Sequence, residues 1–325
     1  MAIRLGFIGT GGIAQGHMER LTGMEGVEAA GHFDVQADRA EASAAKWGGQ
    51  AYSSVQAMVD AANLDGAVIC TPPFAHGESV EGPVCEAGLP FLIEKPIAVD
   101  MATARQVEAW VQAQDLATVV AYKYRWDDHV VKAREMLTDK TIGLVHGDFW
   151  GGLPGVPWWR VMAESGGQLV EQTTHIVDMA RYLCGEIDSV QALYALRGLQ
   201  DVENLDIPDV GTVNVVFESG ALGNISNTCL LEGWGRSSLR VMAKGFTLEI
   251  MWNKLTWASA EGSDELQQSA DGYLGEDVAF VEAIKGNRGL IHSDYSDGLK
   301  TLAATLAANL SAAEGGRLVK VTEVG

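Results

Sequence analysis

Glu94-Lys95-Pro96 puts a carboxylate, an ammonium and a proline at the end of a short apolar run, Phe91-Leu92-Ile93. An ammonium can stabilise negative charge that develops on an oxygen. The proline fixes its own φ and pushes Lys95 out of the helical region. The amine is therefore held at a defined place, with Glu94 beside it. Taken alone, the tripeptide favours the plainer reading, a strand-end salt bridge on a solvated loop. A second set is Glu171, His175 and Asp178. The first two are four apart and the third follows at i+7, so one helix would carry all three on one face. A positioned histidine is the commonest general acid–base. Around these residues stand Leu169, Val170, Ile176, Val177, Met179 and Ala180. Polar groups buried among them without partners would be costly. The plain alternative is a solvated face with one ordinary i, i+4 pair.

The elements that must position these groups follow from the pattern before them. Ile3 to Ile8 reads as a strand, and Gly9-Thr10-Gly11-Gly12-Ile13-Ala14 leads into a helix that runs to about Leu21. Strand, Gly-x-Gly-x-x-Ala and helix form a dinucleotide fingerprint. Gly9 permits the tight turn, Gly11 lets the backbone approach a pyrophosphate, and Ala14 keeps helix and strand close. The helix N-terminus offers free N–H groups to phosphates. A strand from Val27 to Phe33 then ends in Asp34, 20 residues beyond Ala14. That is the spacing of a carboxylate that binds the adenosine ribose. Asp34 also precedes a helix, about Gln36 to Trp47, and could cap it. A carboxylate here repels a 2′-phosphate, so NAD is expected as cofactor, with NADP as the alternative.

A helix from Val55 to Ala62 and a strand from Gly66 to Cys70 lead to Thr71-Pro72-Pro73-Phe74-Ala75-His76. Two prolines stop the ladder and fix an extended loop. Thr71 and Pro72 are expected beside the cofactor. His76 should start the next helix, as a ligand contact or a surface cap. Pro83 predicts a kink or a late start there. After the Glu-Lys-Pro element come a helix from Ala102 to Gln114, capped by Asp100, and a strand from Thr118 to Tyr122.

In the second half, Asp127 to Leu137 reads as a helix, Gly143 as its C-cap, and Leu144 to Trp150 as a strand. Trp150 to Arg160 is a glycine-rich loop with three tryptophans. Trp150, Trp159 and Arg160 suit a sugar ring and its oxygens, but aromatic enrichment also marks interfaces. One long helix is expected from Gln168 to Leu183. Six strands follow, 189–196, 210–217, 221–229, 238–242, 246–250 and 254–257, with a hairpin turn at Glu218-Ser219-Gly220. Consecutive strands of this kind fit a mostly antiparallel sheet. Helices from about Gly275 to Lys285 and Asp294 to Ala313 close the chain.

The 325 residues exceed one ordinary core, so two domains are expected. A net charge of −20 repels phosphate backbones and argues against nucleic acid. No run approaches the length of a membrane span. No targeting segment opens the chain, and a cytoplasmic location is expected. Cys70, Cys85, Cys184 and Cys229 have no metal-type spacing, and no metal site is expected.

The fingerprint Gly9–Ala14, the Thr71-Pro72-Pro73 loop with His76, and Glu94-Lys95-Pro96 together resemble the glucose–fructose oxidoreductase/inositol dehydrogenase/MocA family. The resemblance covers nearly the whole chain. It implies an α/β Rossmann domain, here 1–121, that binds NAD(P). It also implies a C-terminal α+β domain, 122–325, built on a large, mostly antiparallel open sheet. Helix 294–313 should pack back toward the first domain. The open sheet face implies a homodimer or homotetramer. Members carry glycines and then Asp-x-x-x-His; this chain has Glu171-x-x-x-His175, which leaves the glutamate's role open. The resemblance further implies NAD-dependent oxidation of a secondary alcohol in a sugar, polyol or inositol-like substrate. Lys95, His175 and Glu171 are the implied catalytic set, with Gly9 to Ala14, Asp34, Thr71, Pro72, His76, Glu94, Lys95 and Pro96 around the cofactor. Tyr122, Arg125, Trp150, Trp159, Arg160 and Thr174 are the expected substrate contacts. Two rival readings remain: a redox-neutral lyase or glycoside-cleaving enzyme that retains NAD, and a cofactor sensor without turnover.

Overall fold

A computed structural model describes residues 2–325; Met1, counted in the first domain above, lies outside them. The chain divides into two compact units. One runs to Lys123 and adds Gly272–Leu299; the other is Tyr124–Asp271 with Lys300–Gly325. The first boundary thus falls two residues beyond 121. The segment 272–299, assigned to the second domain from sequence, belongs to the first unit.

The first unit begins β1 (Ile3–Ile8), α1 (Gly12–Thr22), β2 (Val27–Phe33), α2 (Ala37–Trp47) and β3 (Gln50–Ala51). It continues α3 (Val55–Ala61), β4 (Gly66–Ile69), α4 (Glu81–Glu86), β5 (Phe91–Ile93), α5 (Met101–Ala113) and β6 (Thr118–Val120). Its sheet has the order β3-β2-β1-β4-β5-β6 and every pair is parallel. The strands are continuous apolar runs because helices cover both faces; Phe7, Ile8, Val68, Ile69, Leu92 and Ile93 are all fully buried. The order reverses between β1 and β4, the switch point where such sheets bind ligands at their carboxyl ends. Side-chain caps start two helices: Asp100, as expected, accepts from the Thr103 N–H, and Ser54 from the Ala57 N–H. Pro83 gives α4 its late start, since only the first turn of a helix tolerates proline.

The second unit starts with α6 (Asp128–Leu137), β7 (Ile142–Trp150), α7 (Met162–Ser165), α8 (Gly167–Glu171) and α9 (Thr174–Cys184). Then come β8 (Ile187–Ala195), β9 (Val210–Phe217), β10 (Leu222–Thr228), β11 (Arg236–Ala243), β12 (Phe246–Met251), β13 (Lys254–Ser259) and β14 (Gly262–Gln267). The chain returns to the first unit with α10 (Gly272–Ile284). It ends with α11 (Tyr295–Ala313) and β15 (Val319–Lys320). The second sheet runs β14-β13-β12-β11-β7-β10-β9-β8-β15, with only β7 and β10 parallel. One face packs α6 and α9 through Val130, Ala133, Ile176, Val177 and Ala180 against Val145, Val213, Ile225 and Leu239. Among the described residues no helix is long and apolar enough to cross a membrane.

Two expectations fail here for physical reasons. Gly143 is no C-cap; it lies inside β7, and Thr138 ends α6. The single helix 168–183 is two. The Gln172 and Thr173 N–H groups both bond the Gln168 carbonyl, at 3.0 and 2.9 Å, and a new helix starts from the Thr173 carbonyl. Two adjacent threonines, stiff at χ1, stand at that joint. β14 was missed because it is exposed and polar, as a sheet edge must be to resist pairing.

Candidate active site

The fingerprint turn is built as its glycines require. Gly9 has φ +80°, and a Cβ there would lie 2.5 Å from the Cys70 carbonyl oxygen on the neighbouring strand end. Gly11 and Gly12 face open space: a Cβ on either meets nothing within 4 Å. No side chain caps α1, and its first turn carries no acid. The free N–H groups and partial positive charge at that end suit a pyrophosphate. The cradle therefore fits a dinucleotide, with Thr10 to Ala14 around it.

Asp34 does not cap α2, whose cap position is Gln36. Its Oδ2 accepts from the Thr10 N–H at 2.9 Å and the Thr10 hydroxyl at 3.0 Å, and its Oδ1 from the Gln36 N–H at 3.0 Å. The carboxylate thus bridges the end of β2 to the fingerprint turn. Val35 beside it is exposed and supplies no cation.

Thr71 and Pro72 follow β4, and the Thr71 hydroxyl is buried without a hydrogen-bond partner. His76 does not start a helix; it follows a short turn, Pro73–Ala75, and precedes α4. Its Nδ1 lies 2.6 Å from Glu81 Oε1, while Glu81 Oε2 accepts from the Gly77 N–H at 2.5 Å. Its Nε2 is buried and has no partner. That arrangement fixes the ring and leaves one nitrogen for a ligand.

Lys95 and Pro96 leave β5 at its carboxyl end, as the sequence requires. Glu94 has partners of its own within the protein. Its Oε2 accepts from the Lys95 N–H at 3.2 Å, and its Oε1 lies 3.2 Å from His17 Nε2. His17 Nδ1 in turn lies 2.5 Å from Asp277 Oδ1, and Arg20 Nε donates to Asp277 Oδ2 at 2.6 Å. Burial alone would lower the His17 pKa, but the hydrogen bonds to Asp277 and Glu94 outweigh it and raise it to about 10. Glu276 beside them is fully buried. Burial holds its carboxyl well above the usual range; His17 pulls it down, and Glu94 and Asp277 push it up. Sequence reasoning passed over this cluster. One signal was available: His17 shares the buried stripe of α1 with Ala14, Met18 and Leu21.

In the second unit, His175 is the second residue of α9, with its ring edge-on to Tyr124 at 5.4 Å between centroids. Burial raises the Tyr124 phenol to about 12, and its hydroxyl meets Ser237 Oγ at 3.2 Å. The break before α9 removes the regular i, i+4 relation of Glu171 to His175. Glu171 Oε2 instead accepts from the Trp159 indole at 2.6 Å. Trp159 is buried with Ile207 and Cys229, so it anchors its loop and is no open sugar platform. Asp178 is equally committed. Arg125, expected to line the pocket, grips it with two hydrogen bonds of 2.8 and 2.6 Å and is buried. Trp150 donates to Ser226 Oγ across the sheet. Thr174 and Tyr122 are buried, and Arg160 Nε is buried without a partner.

Residues 3–122 match the oxidoreductase family with the NAD-binding Rossmann fold, Gfo/Idh/MocA, and residues 130–248 match that family's C-terminal domain. An inositol 2-dehydrogenase of Rhizobium meliloti (strain 1021) is 30% identical over 231 residues, 70% of this chain and 69% of the relative. The chain belongs to the Gfo/Idh/MocA family. A myo-inositol 2-dehydrogenase of Thermotoga maritima is also 30% identical, over 70% of this chain and 68% of its own. The solved structure of a levoglucosan dehydrogenase in complex with NADH shares the fold with a TM-score of 0.87 at 20% identity, covering 99% of each chain. This Gfo/Idh/MocA member is accordingly an oxidoreductase with an NAD-binding Rossmann domain.

Proposed function

We propose that this protein oxidises a secondary alcohol of a sugar, polyol or inositol-like compound. The observation that carries the reading is Lys95, held by Pro96 at the carboxyl end of β5, in a parallel sheet whose fingerprint cradle is open. NAD, when bound, supplies the hydride acceptor. Gly9, Gly11 and Ala14 admit the pyrophosphate, Asp34 the adenosine ribose, and Thr71, Pro72 and His76 flank the nicotinamide half. Lys95 stabilises negative charge that develops on the substrate oxygen. His175 takes the hydroxyl proton. Glu171 holds the Trp159 loop beside that histidine's helix. A panel of inositols, sugars and polyols with NAD tests the reading. Net growth of reduced-nicotinamide absorbance supports it. Product formed without such growth would make the chain a redox-neutral lyase, and tight NAD binding with no product would make it a sensor.

Cofactor choice is assigned to Asp34, with NAD preferred over NADP. Asp34→Ala removes a charged hydrogen-bond acceptor, a contact of about 1.5–3 kcal/mol. NAD affinity should fall by roughly ten- to a hundredfold, and the gap to NADP should narrow. Calorimetry that shows unchanged NAD affinity would remove Asp34 from the site.

A homodimer or homotetramer is the expected assembly. The sheet face away from α6 and α9 exposes Leu144, Leu193 and Leu222. Exposed leucines on an open sheet face suit contact with a second copy of the chain. Light scattering should give a multiple of the 34.7 kDa chain mass, and Leu222→Asp should shift it toward the monomer. A wild-type monomer at micromolar concentration would contradict this.

A further inference from the structure

His17, Glu94 and Glu276 come from α1, the end of β5 and α10, three separate elements of the first unit. One donor atom from each lies within 4.8 Å of the others, and all three residues are buried. Both carboxylate oxygens of Glu276 lack a hydrogen-bond partner, although the side chain is fully buried. A buried carboxyl group whose oxygens have no hydrogen-bond partner is costly, and a cation is one partner that would meet both. The surroundings specify that partner further. Asp277 holds Nδ1 of His17 and leaves Nε2 turned to Glu94. A carboxylate on the far nitrogen is the usual orienting partner of a metal-bound histidine. One atom cannot hold a proton and a metal ion together, so a cation bound at Nε2 takes the place of the proton that Asp277 and Glu94 otherwise stabilise on the ring.

We propose that His17 Nε2, Glu94 and Glu276 bind a divalent transition-metal cation of the Zn²⁺ or Mn²⁺ class, with Asp277 orienting the histidine. Imidazole with carboxylates suits such ions. Ligand distances of about 2.0–2.2 Å ask the donors to stand roughly 3–4 Å apart, a contraction that a glutamate rotamer supplies. The ion staples α10 to α1 and to the strand end that carries Lys95. It stands apart from hydride transfer and does not depend on the substrate.

The test uses the full chain, stripped with a chelator and titrated separately with ZnCl₂ and MnCl₂. Elemental mass spectrometry should find about one equivalent retained after desalting. Saturation should raise the Tm by about 5–10 °C, as a ligand well above its Kd does. Glu276→Gln keeps the shape but removes the charge, and should lose the retained ion and the Tm shift. Far-UV circular dichroism establishes that this variant is folded. The wild-type stoichiometry alone can overturn the proposal. If neither ion is retained, protons alone hold the cluster. If Glu276→Gln retains the ion as tightly as wild type, the metal binds elsewhere, for example at exposed histidines.

Discussion

His175→Ala should lower kcat by about 10²–10⁴-fold, the range a positioned histidine supplies as general acid–base, while NAD affinity stays within a few-fold of wild type. Cofactor binding and proton transfer fall to different parts of the chain. The fingerprint, Asp34 and the α1 N-terminus all lie before residue 35, and His175 belongs to the second unit. Lys95→Ala should fall by a similar factor, because the charge on the substrate oxygen loses its stabiliser. The double variant should be scarcely worse than either single one, since groups that serve one transition state act as a unit. Glu171→Gln is the informative control. A glutamine oxygen still accepts from the Trp159 indole, so the loop stays anchored. A mild effect fits an orienting role; a loss as deep as that of His175→Ala means that the carboxylate charge enters the reaction. Steady-state kinetics on the substrate found in the panel, with calorimetry for NAD, decides all four. Near-normal turnover in His175→Ala would remove the proposed base.

The largest stability loss is expected at Asp178. Its carboxylate accepts two hydrogen bonds from Arg125 and one from Thr301, and Arg181 Nη1 stands 3.8 Å away. All four residues are buried. Asp178→Ala strands the Arg125 guanidinium, and removing one partner of a buried pair costs about 3–5 kcal/mol. Arg181 retains Glu186, so its share of the loss is smaller. Replacing the pair together, with Arg125→Met and Asp178→Leu, should recover much of the stability, because no charge is then left uncompensated. Thermal and denaturant unfolding of the three variants measures this. A loss below about 1 kcal/mol in the single variant would show that water reaches the pair, as at exposed salt bridges.

Local chemistry was legible in the sequence wherever it is carried by neighbours in the chain. The fingerprint, Asp100 at a helix start, the Pro83 delay and the Glu-Lys-Pro turn each act through backbone geometry within a few residues. The second sheet was legible from its alternating strands up to β13. What failed depended on distant partners. Regular spacing placed Glu171, His175 and Asp178 on one face, but Trp159 holds the first and Arg125 the third. Two threonines at 173 and 174 broke the helix without a glycine or proline to announce it. Likewise, His17 meets Asp277 across 260 residues, and no local pattern reports such a pair. Arg125 shows the same limit: an arginine beyond a Rossmann strand reads as a substrate ligand until its aspartate is seen.

The return of Gly272–Leu299 to the first unit sets an order of manufacture. A chain that has emerged from the ribosome only to Lys123 already holds all six parallel strands. It still lacks α10, whose Asp277 meets His17 and Arg20, and Tyr295, whose N–H donates to the Thr118 hydroxyl on β6. Translation at about 5–20 residues per second leaves this unit waiting roughly 7–30 s while residues 124–271 are made. During that interval His17 and Glu94 face one another with no Asp277 to take the imidazole. The unit synthesised first is therefore completed near the end of synthesis.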